Sequence, residues 1–198
     1  MKGALILAGG KAVRFNGAKK ALVTLNGKPL LQWVIEAVRP CVDEIIISGD
    51  SDVTQFGYPV VEDTFSRLGP LAGFHAGFSV IKSEYTFVTG CDMPFINPEV
   101  IAYLFRKGKG HSCCLPKQKE FIEPLCCVYK TADVRACCST VISQGKRRLW
   151  DLIKCLPDPL YISFAEVETI DPHLFSFKNI NTCKDLETLQ QLAEEMLP

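Results

Sequence analysis

Apolar positions along the chain alternate between two spacings. Short aliphatic runs, bounded by glycine or polar residues, recur at residues 3–8, 44–48, 59–62 and 85–89, and read as buried strands. Between them, apolar residues recur every three or four positions. One such stretch has Pro29 in its first turn, carries Leu30, Leu31, Val34, Ala37 and Val38, and stops at Pro40. A second opens at Pro70 and buries Leu71, Phe74, Phe78 and Ile81. A third is capped by Asn97, with Pro98 in the first turn, Glu99 near its positive end and Gly108 as its stop. Strands alternating with helices predict a doubly wound sheet.

The second half is less regular. Strands are expected near residues 111–115 and 124–129. A helix follows over 131–145, then a basic step, Lys146-Arg147-Arg148, and a further amphipathic piece. Thr182 and Asp185 have capping-box spacing and open a last helix with Leu186, Leu189, Leu192, Ala193 and Met196 on one face. No repeat or linker interrupts the pattern, so residues 1–198 are read as a single domain.

Charge narrows the function. Lys plus Arg and Asp plus Glu number 22 each. A protein that grips a nucleic-acid backbone needs excess cations, one for each phosphate contact, so nucleic acid is not the expected partner. No apolar run approaches the ~20 residues that span a bilayer, and the run at residues 3–8 is too short for a secretory signal. A cytoplasmic location without a membrane partner is expected. Ten cysteines include three adjacent pairs, 113–114, 126–127 and 137–138, but no C-x-x-C. Neighbours on a strand face opposite ways, so these thiols read as small core residues rather than zinc ligands. Cys91 is read the same way, not as a nucleophile.

Four segments carry candidate chemistry. Strand 3–8 runs into Gly9-Gly10, where a tight turn can bring bare N–H groups against an anion. Arg14, Lys19 and Lys20 follow with positive charge. The loop lacks the G-K-[ST] of a Walker motif and the G-x-G-x-x-G of dinucleotide folds. A triphosphate with magnesium suits it. Asp92 ends the apolar strand 85–89, at the strand end where ligands of open α/β sheets bind, and is placed to hold Mg²⁺. Asp63 follows another strand and precedes Gly69-Pro70-Leu71-Ala72-Gly73, whose glycines allow a helix start to approach the sheet or a ligand. Asn179 and Asn181 precede the last helix, where they can cap it or reach a substrate.

In this order the segments resemble the molybdenum cofactor guanylyltransferases, nearly end to end. The matching residues are Leu7-Ala8-Gly9-Gly10 with the downstream Lys20, Leu25-Asn26-Gly27-Lys28-Pro29-Leu30, Glu62-Asp63, the Gly69–Gly73 segment, Cys91-Asp92-Met93-Pro94, Gly145-Lys146-Arg147-Arg148 and Asn179-Ile180-Asn181-Thr182. The resemblance implies a Rossmann-like three-layer nucleotidyltransferase fold with a mostly parallel central sheet. It implies transfer of GMP from GTP to molybdenum-bound molybdopterin, with Mg²⁺ as cofactor and with molybdenum-inserting proteins and molybdoenzymes as partners. Leu7, Ala8, Gly9 and Gly10 would meet the nucleotide, Lys20 its phosphates, Asp63 the guanosine, and Asp92 the metal. Ser48 stands at a nucleotide position where asparagine is expected. Lys19 stands where an acidic or neutral residue is usual, and Cys183 where proline is usual.

Arg147, Arg148, Asn179 and Asn181 are then candidates for the second substrate. An acceptor phosphate is already ionised near neutral pH, so no base is needed, and alignment with charge neutralisation carries the reaction. His75, His111 and His173 are accordingly read as structural. Two alternatives share these features: guanylyl transfer to another acceptor, such as adenosylcobinamide phosphate or a sugar phosphate, and a non-catalytic GTP-binding adaptor for molybdoenzymes.

Overall fold

In a computed structural model, residues 1–9, 19–63, 65, 68–119 and 121–196 are described, with side chains through residue 189. Gly10, Arg14 and the helix-face side chains of Leu192, Ala193 and Met196 lie outside that set. The elements in chain order are β1 (Lys2–Leu7), β2 (Thr24–Leu25), β3 (Lys28–Pro29), α1 (Leu30–Val38), β4 (Glu44–Ser48), β5 (Val60–Val61) and α2 (Pro70–Val80). Then come β6 (Tyr85–Gly90), α3 (Pro98–Gly108), β7 (Cys113–Gln118), β8 (Phe121–Ile122), β9 (Cys127–Lys130), α4 (Thr131–Ser143), α5 (Leu149–Cys155), β10 (Pro159–Ser163), α6 (Phe164–Glu168) and α7 (Cys183–Met196).

Among the described residues, eight strands form one sheet in the order β10-β7-β9-β6-β1-β4-β5, with β8 paired to the far end of β7. All pairings along that path are parallel except those of β9, which runs against both neighbours. β1 has parallel partners on both sides and helices on both faces. Its Ala4, Leu5 and Ile6 are fully buried, as a two-sided strand requires. One apolar layer joins α1, α3 and α6 to the sheet, and the other joins α2, α4 and α5 to the opposite face. This is the expected three-layer, mostly parallel arrangement. Among the described residues no helix is long and apolar enough to cross a membrane.

Glycine lets α2 lie close on the sheet. A Cβ at Gly73 would fall 2.8 Å from Ser48 Oγ and 2.9 Å from Leu7 Cδ2, and one at Gly77 would press into Leu5. At the entry to α2, Gly69 has φ 55° and ψ −142°, a conformation open essentially to glycine alone.

Three local features depart from the sequence reading. Residues 24–29, between the glycine loop and the first helix, form an unpredicted β-hairpin, because Asn26 (φ 51°) and Gly27 (φ 74°) supply the two left-handed positions of a tight turn. Pro29 ends that hairpin and precedes α1 rather than lying in its first turn. β10 and α6 had not been anticipated. β10 is an edge strand with exposed Tyr161 and Ser163, so its apolar signal is thin, and its proline stands at the first position, where a missing N–H is tolerated.

The hairpin is tied to the chain's far end. Leu25, Leu30, Ile180 and Leu189 form a separate buried cluster, and the Trp33 indole N–H bonds Leu25 O at 3.0 Å. This packing carries the segment after residue 178 back to the end of β6.

Candidate active site

From β1 the chain moves outward to β4 and β5, then returns to place β6 on the other side of β1. The crevice beyond the carboxyl ends of β1 and β6 is therefore the topological switch point, where such sheets bind ligands. The two ends are in register, Leu7 opposite Gly90, and Cys91 N–H bonds Leu7 O at 2.9 Å. A cleft of about 350 Å³ opens there.

At its centre Lys20 Nζ lies 2.6 Å from Asp92 Oδ2 and donates to Asn181 Oδ1 at 2.7 Å. The three residues come from three separate parts of the chain. Lys20 opens a one-turn helix just before the hairpin, and the neighbouring Ala21 anchors that turn in the core. Asp92 follows β6, and Gly90 makes room for it, since a Cβ on Gly90 would stand 2.3 Å from Asp92 Oδ1. Asn181 is delivered by the Ile180 N–H bond to Asp92 O, 2.8 Å, and by the predicted cap of α7. There Asp185 Oδ2 accepts from the N–H groups of Asn181 (2.9 Å) and Thr182 (2.8 Å), and Thr182 Oγ1 accepts from Asp185 N–H (3.1 Å). The Asn181 N–H is the main reason the Asp185 carboxyl sits below its ordinary value.

On the β4–β5 side, Ser48 Oγ donates to Asp63 Oδ1 at 3.0 Å. Ser48 is 2% exposed, so its part is to orient the exposed Asp63 carboxylate. Leu7, Gly9, Ser48 and Asp63 all line the cleft, as do Gly69, Pro70 and Gly73 at the start of α2. Ala8 does not line it, and its N–H is already bonded to Ser48 O at 2.7 Å, so only its carbonyl remains for a nucleotide. Gly10 lies outside the described residues.

Lys19 takes no part in the cleft. Its ammonium bridges Asp50 (2.8 Å) and Asp52 (2.6 Å), which raise its pKa, Asp50 most. This ties Lys19 to the loop after β4, which leaves Lys20, among the described residues, as the cation facing Asp92.

The second-substrate candidates are placed unevenly. Asn179 Oδ1 is buried without a hydrogen-bond partner among the described residues, next to the Asp92 contact. Arg147 and Arg148 are exposed, are not among the cleft-lining residues, and their side chains form no ion pair or hydrogen bond among the described residues; the one link to Asp151 is backbone, its N–H bonding Arg148 O at 3.0 Å. The α5 that follows them has only seven residues, so its dipole is a poor reason to expect an anion there. They do lie at the cleft's edge of the sheet, because α4 starts where antiparallel β9 ends and runs back toward the carboxyl ends.

Two residues of this half had escaped the sequence reading. Leu125 lines the cleft beside Asp92, and Glu123, 8% exposed, accepts Leu125 N–H at 2.9 Å. The available signal was an acid and a proline between two short apolar runs. Burial pushes the Glu123 carboxyl up to about 7 against an ordinary 4.5, with the Asp92 charge adding to the rise and the Leu125 N–H opposing it. Between those values the folded chain holds a proton that the unfolded chain releases, so stability falls as pH rises and the full penalty is present above pH 7. Glu123→Gln is therefore expected to gain stability at pH 8, on the order of 3 kcal/mol at most, and nothing at pH 4. Urea unfolding at the two pH values checks this, and a loss at pH 8 contradicts it.

Seven of the ten cysteines are buried, including all three adjacent pairs and Cys91. Burial pushes the Cys91 thiol up to about 12, which leaves it protonated and a poor nucleophile at neutral pH. His111 pairs with Asp158 at 2.8 Å, and His75 and His173 pack against Phe65 and Phe175; none lines the cleft. Among the described residues no group of three or more His, Cys, Asp or Glu side chains could hold a metal ion. Asp92 is a single carboxylate seated against the bare Gly90, which suits Mg²⁺ shared with substrate phosphates and water rather than caged by protein.

Known proteins match this architecture. The family model for the MobA-like NTP transferase domain matches residues 4–159. A molybdenum cofactor guanylyltransferase of Desulfosudis oleivorans is 34% identical over 189 residues, covering 92% of this chain and 91% of that protein. The crystal structure of molybdopterin-guanine dinucleotide biosynthesis protein A from Archaeoglobus fulgidus superposes with a TM-score of 0.84 at 28% identity, over 99% of this chain and 100% of the other. A cytidylyltransferase of Thermus thermophilus, 13% identical with a TM-score of 0.72, covering 96% of this chain and 98% of that one, shares the fold. With the Lys20–Asp92 pair at the switch point and relatives that span the chain, this protein belongs to the MobA-like NTP transferase family and is a nucleotidyltransferase.

Proposed function

We propose that the enzyme transfers GMP from GTP to the phosphate of molybdenum-bound molybdopterin. An acceptor phosphate oxygen bonds to the α-phosphorus of GTP as the bond to the bridging oxygen breaks, and pyrophosphate leaves with that electron pair. The observation that carries this reading is the Lys20–Asp92 pair lining the cleft, with Asn181 accepting a second hydrogen bond from Lys20. It sits between Asp63 on the β4–β5 side and Leu125 on the β9 side, both of which line the cleft. Lys20 stabilises charge that grows on the phosphates, and Asp92 holds Lys20 in line. When bound, Mg²⁺ on Asp92 would add charge neutralisation at the same phosphates. The relatives named molybdenum cofactor guanylyltransferase and molybdopterin-guanine dinucleotide biosynthesis protein A, which match nearly the whole chain, support the choice of substrates.

Pyrophosphate release tests it. Turnover is expected with GTP and molybdopterin together, and much more slowly with ATP or CTP. Equal rates with all three nucleotides would remove the guanine assignment.

Arg147 and Arg148, unpaired among the described residues at the cleft's edge of the sheet, are assigned to the pterin phosphate, since arginine forks fit phosphate oxygens. Replacing both with alanine is expected to raise the KM for molybdopterin about tenfold, a typical loss for one charge-assisted contact, and to leave the GTP Kd unchanged. A fall in GTP affinity would move the pair to the nucleotide half.

A further inference from the structure

Among the described residues, Leu125 alone lines the cleft from the part of the chain beyond Asp92. It stands at the β6–β9 end, where Cys126 N–H bonds Val88 O at 2.7 Å, while the polar pair Ser48 and Asp63 holds the β4–β5 end. Leu125 is half-buried and packs against the apolar layers on both faces of the sheet. A Cβ added to Gly90 would stand 3.7 Å from Leu125 Cδ1 and 2.3 Å from Asp92 Oδ1. The leucine methyl and the carboxylate therefore flank the same bare glycine.

The turn that presents Leu125 is strained and braced. Cys126, fully buried, takes φ 76°, a left-handed conformation that a side chain disfavours. The turn is held by Glu123 N–H to Pro116 O at 3.1 Å, Leu125 N–H to Glu123 Oε1 at 2.9 Å and the Tyr129 hydroxyl to Pro124 O at 2.8 Å. Strain persists where the surrounding structure enforces it, and such places cluster at functional sites. What this one fixes is an apolar side chain in the cleft wall beside Asp92.

Under the reaction proposed above, guanosine lies toward Asp63 and the α-phosphorus meets Lys20 and Asp92. The attacking oxygen then arrives from the side of Leu125. A water on that side would compete with the acceptor. Its oxygen would bond to the α-phosphorus as the bond to the bridging oxygen breaks and pyrophosphate leaves with that electron pair. GMP would form, with one water proton going to pyrophosphate and one to solvent. A held water needs about two to four polar partners, and the Leu125 side chain offers none. We propose that Leu125 is a specificity-determining residue that keeps water from the acceptor side of the α-phosphorus, so that GTP reacts by transfer rather than by hydrolysis. The orientation rests on the guanylyl-transfer reading, but the test uses no acceptor.

GTP and Mg²⁺ are incubated with the enzyme in isotopically labelled water, and GMP is followed by mass spectrometry. The wild type is expected to form GMP slowly. Leu125→Ala should form GMP labelled at its phosphate about tenfold faster, with the GTP Kd unchanged. Leu125→Met refills the space with an apolar chain and should keep the wild-type rate. Leu125→Asn, polar and of similar size, should behave like the alanine variant, and it takes that variant's place if urea unfolding shows the latter to be unfolded. An unchanged rate in the folded alanine or asparagine variant overturns the proposal. So does an equal rise in Leu125→Met, or label found on pyrophosphate instead of GMP. Guanylyl transfer is scored separately: hydrolysis governed by Leu125, in an enzyme that does not guanylylate molybdopterin, would remove the acceptor and keep the water barrier.

Discussion

Asp92→Ala is expected to abolish turnover, by at least roughly a hundred- to thousandfold in kcat, while the protein stays folded. The Asp92 carboxylate holds Lys20 at 2.6 Å and is the residue proposed to share Mg²⁺ with the phosphates. Both roles concern charge that develops as the α-phosphorus changes partners, so the loss belongs in kcat more than in KM. Stability is expected to change little. The backbone bond from Ile180 to Asp92 O does not involve the side chain, and a partly exposed ion pair is worth about 1 kcal/mol or less. Wild-type kcat in this variant at saturating magnesium would place the chemistry elsewhere.

Lys20→Met is expected to be nearly as severe, roughly a hundredfold or more in kcat/KM for GTP. Methionine keeps the length and the apolar stem but removes the cation shared by Asp92 and Asn181. Asp92 then faces incoming phosphates with its negative charge uncompensated by any described side chain in an ion pair, so affinity and rate fall together. The turn itself should survive, because Ala21 carries its burial at 1% exposure. Lys20→Arg is expected to restore little. The planar guanidinium cannot occupy the point where one ammonium meets a carboxylate and an amide oxygen. A Lys20→Met enzyme with unchanged kcat/KM would show that Lys19, or a cation of the glycine loop, performs this role.

Much of this site is visible in the sequence because its chemistry comes in short, ordered segments. A strand entering Gly9, a carboxylate just past the end of β6 and a capped helix after Asn181 each announce a strand end or helix start, and the ends of β1 and β6 meet at the switch point. Other features depend on distant partners. Lys19 reads as a phosphate cation until Asp50, 31 residues away, is brought beside it. Glu123 carries no signal of its own in the sequence, since its burial arises only when the chain before β9 bonds back to Pro116 of β7. Arg147 and Arg148 read as a helix-start anion site, but α5 is too short to supply the dipole. β10 hides because an edge strand buries little of its side-chain surface, so its residues carry no strong period.

The central claim is best tested by following the α-phosphorus. With GTP labelled at that atom, plus Mg²⁺ and molybdenum-bound molybdopterin, the label should appear in a guanine dinucleotide of the pterin, one equivalent for each pyrophosphate released. Label remaining in GTP, or carried to a sugar phosphate or cobinamide phosphate in preference to the pterin, would contradict it.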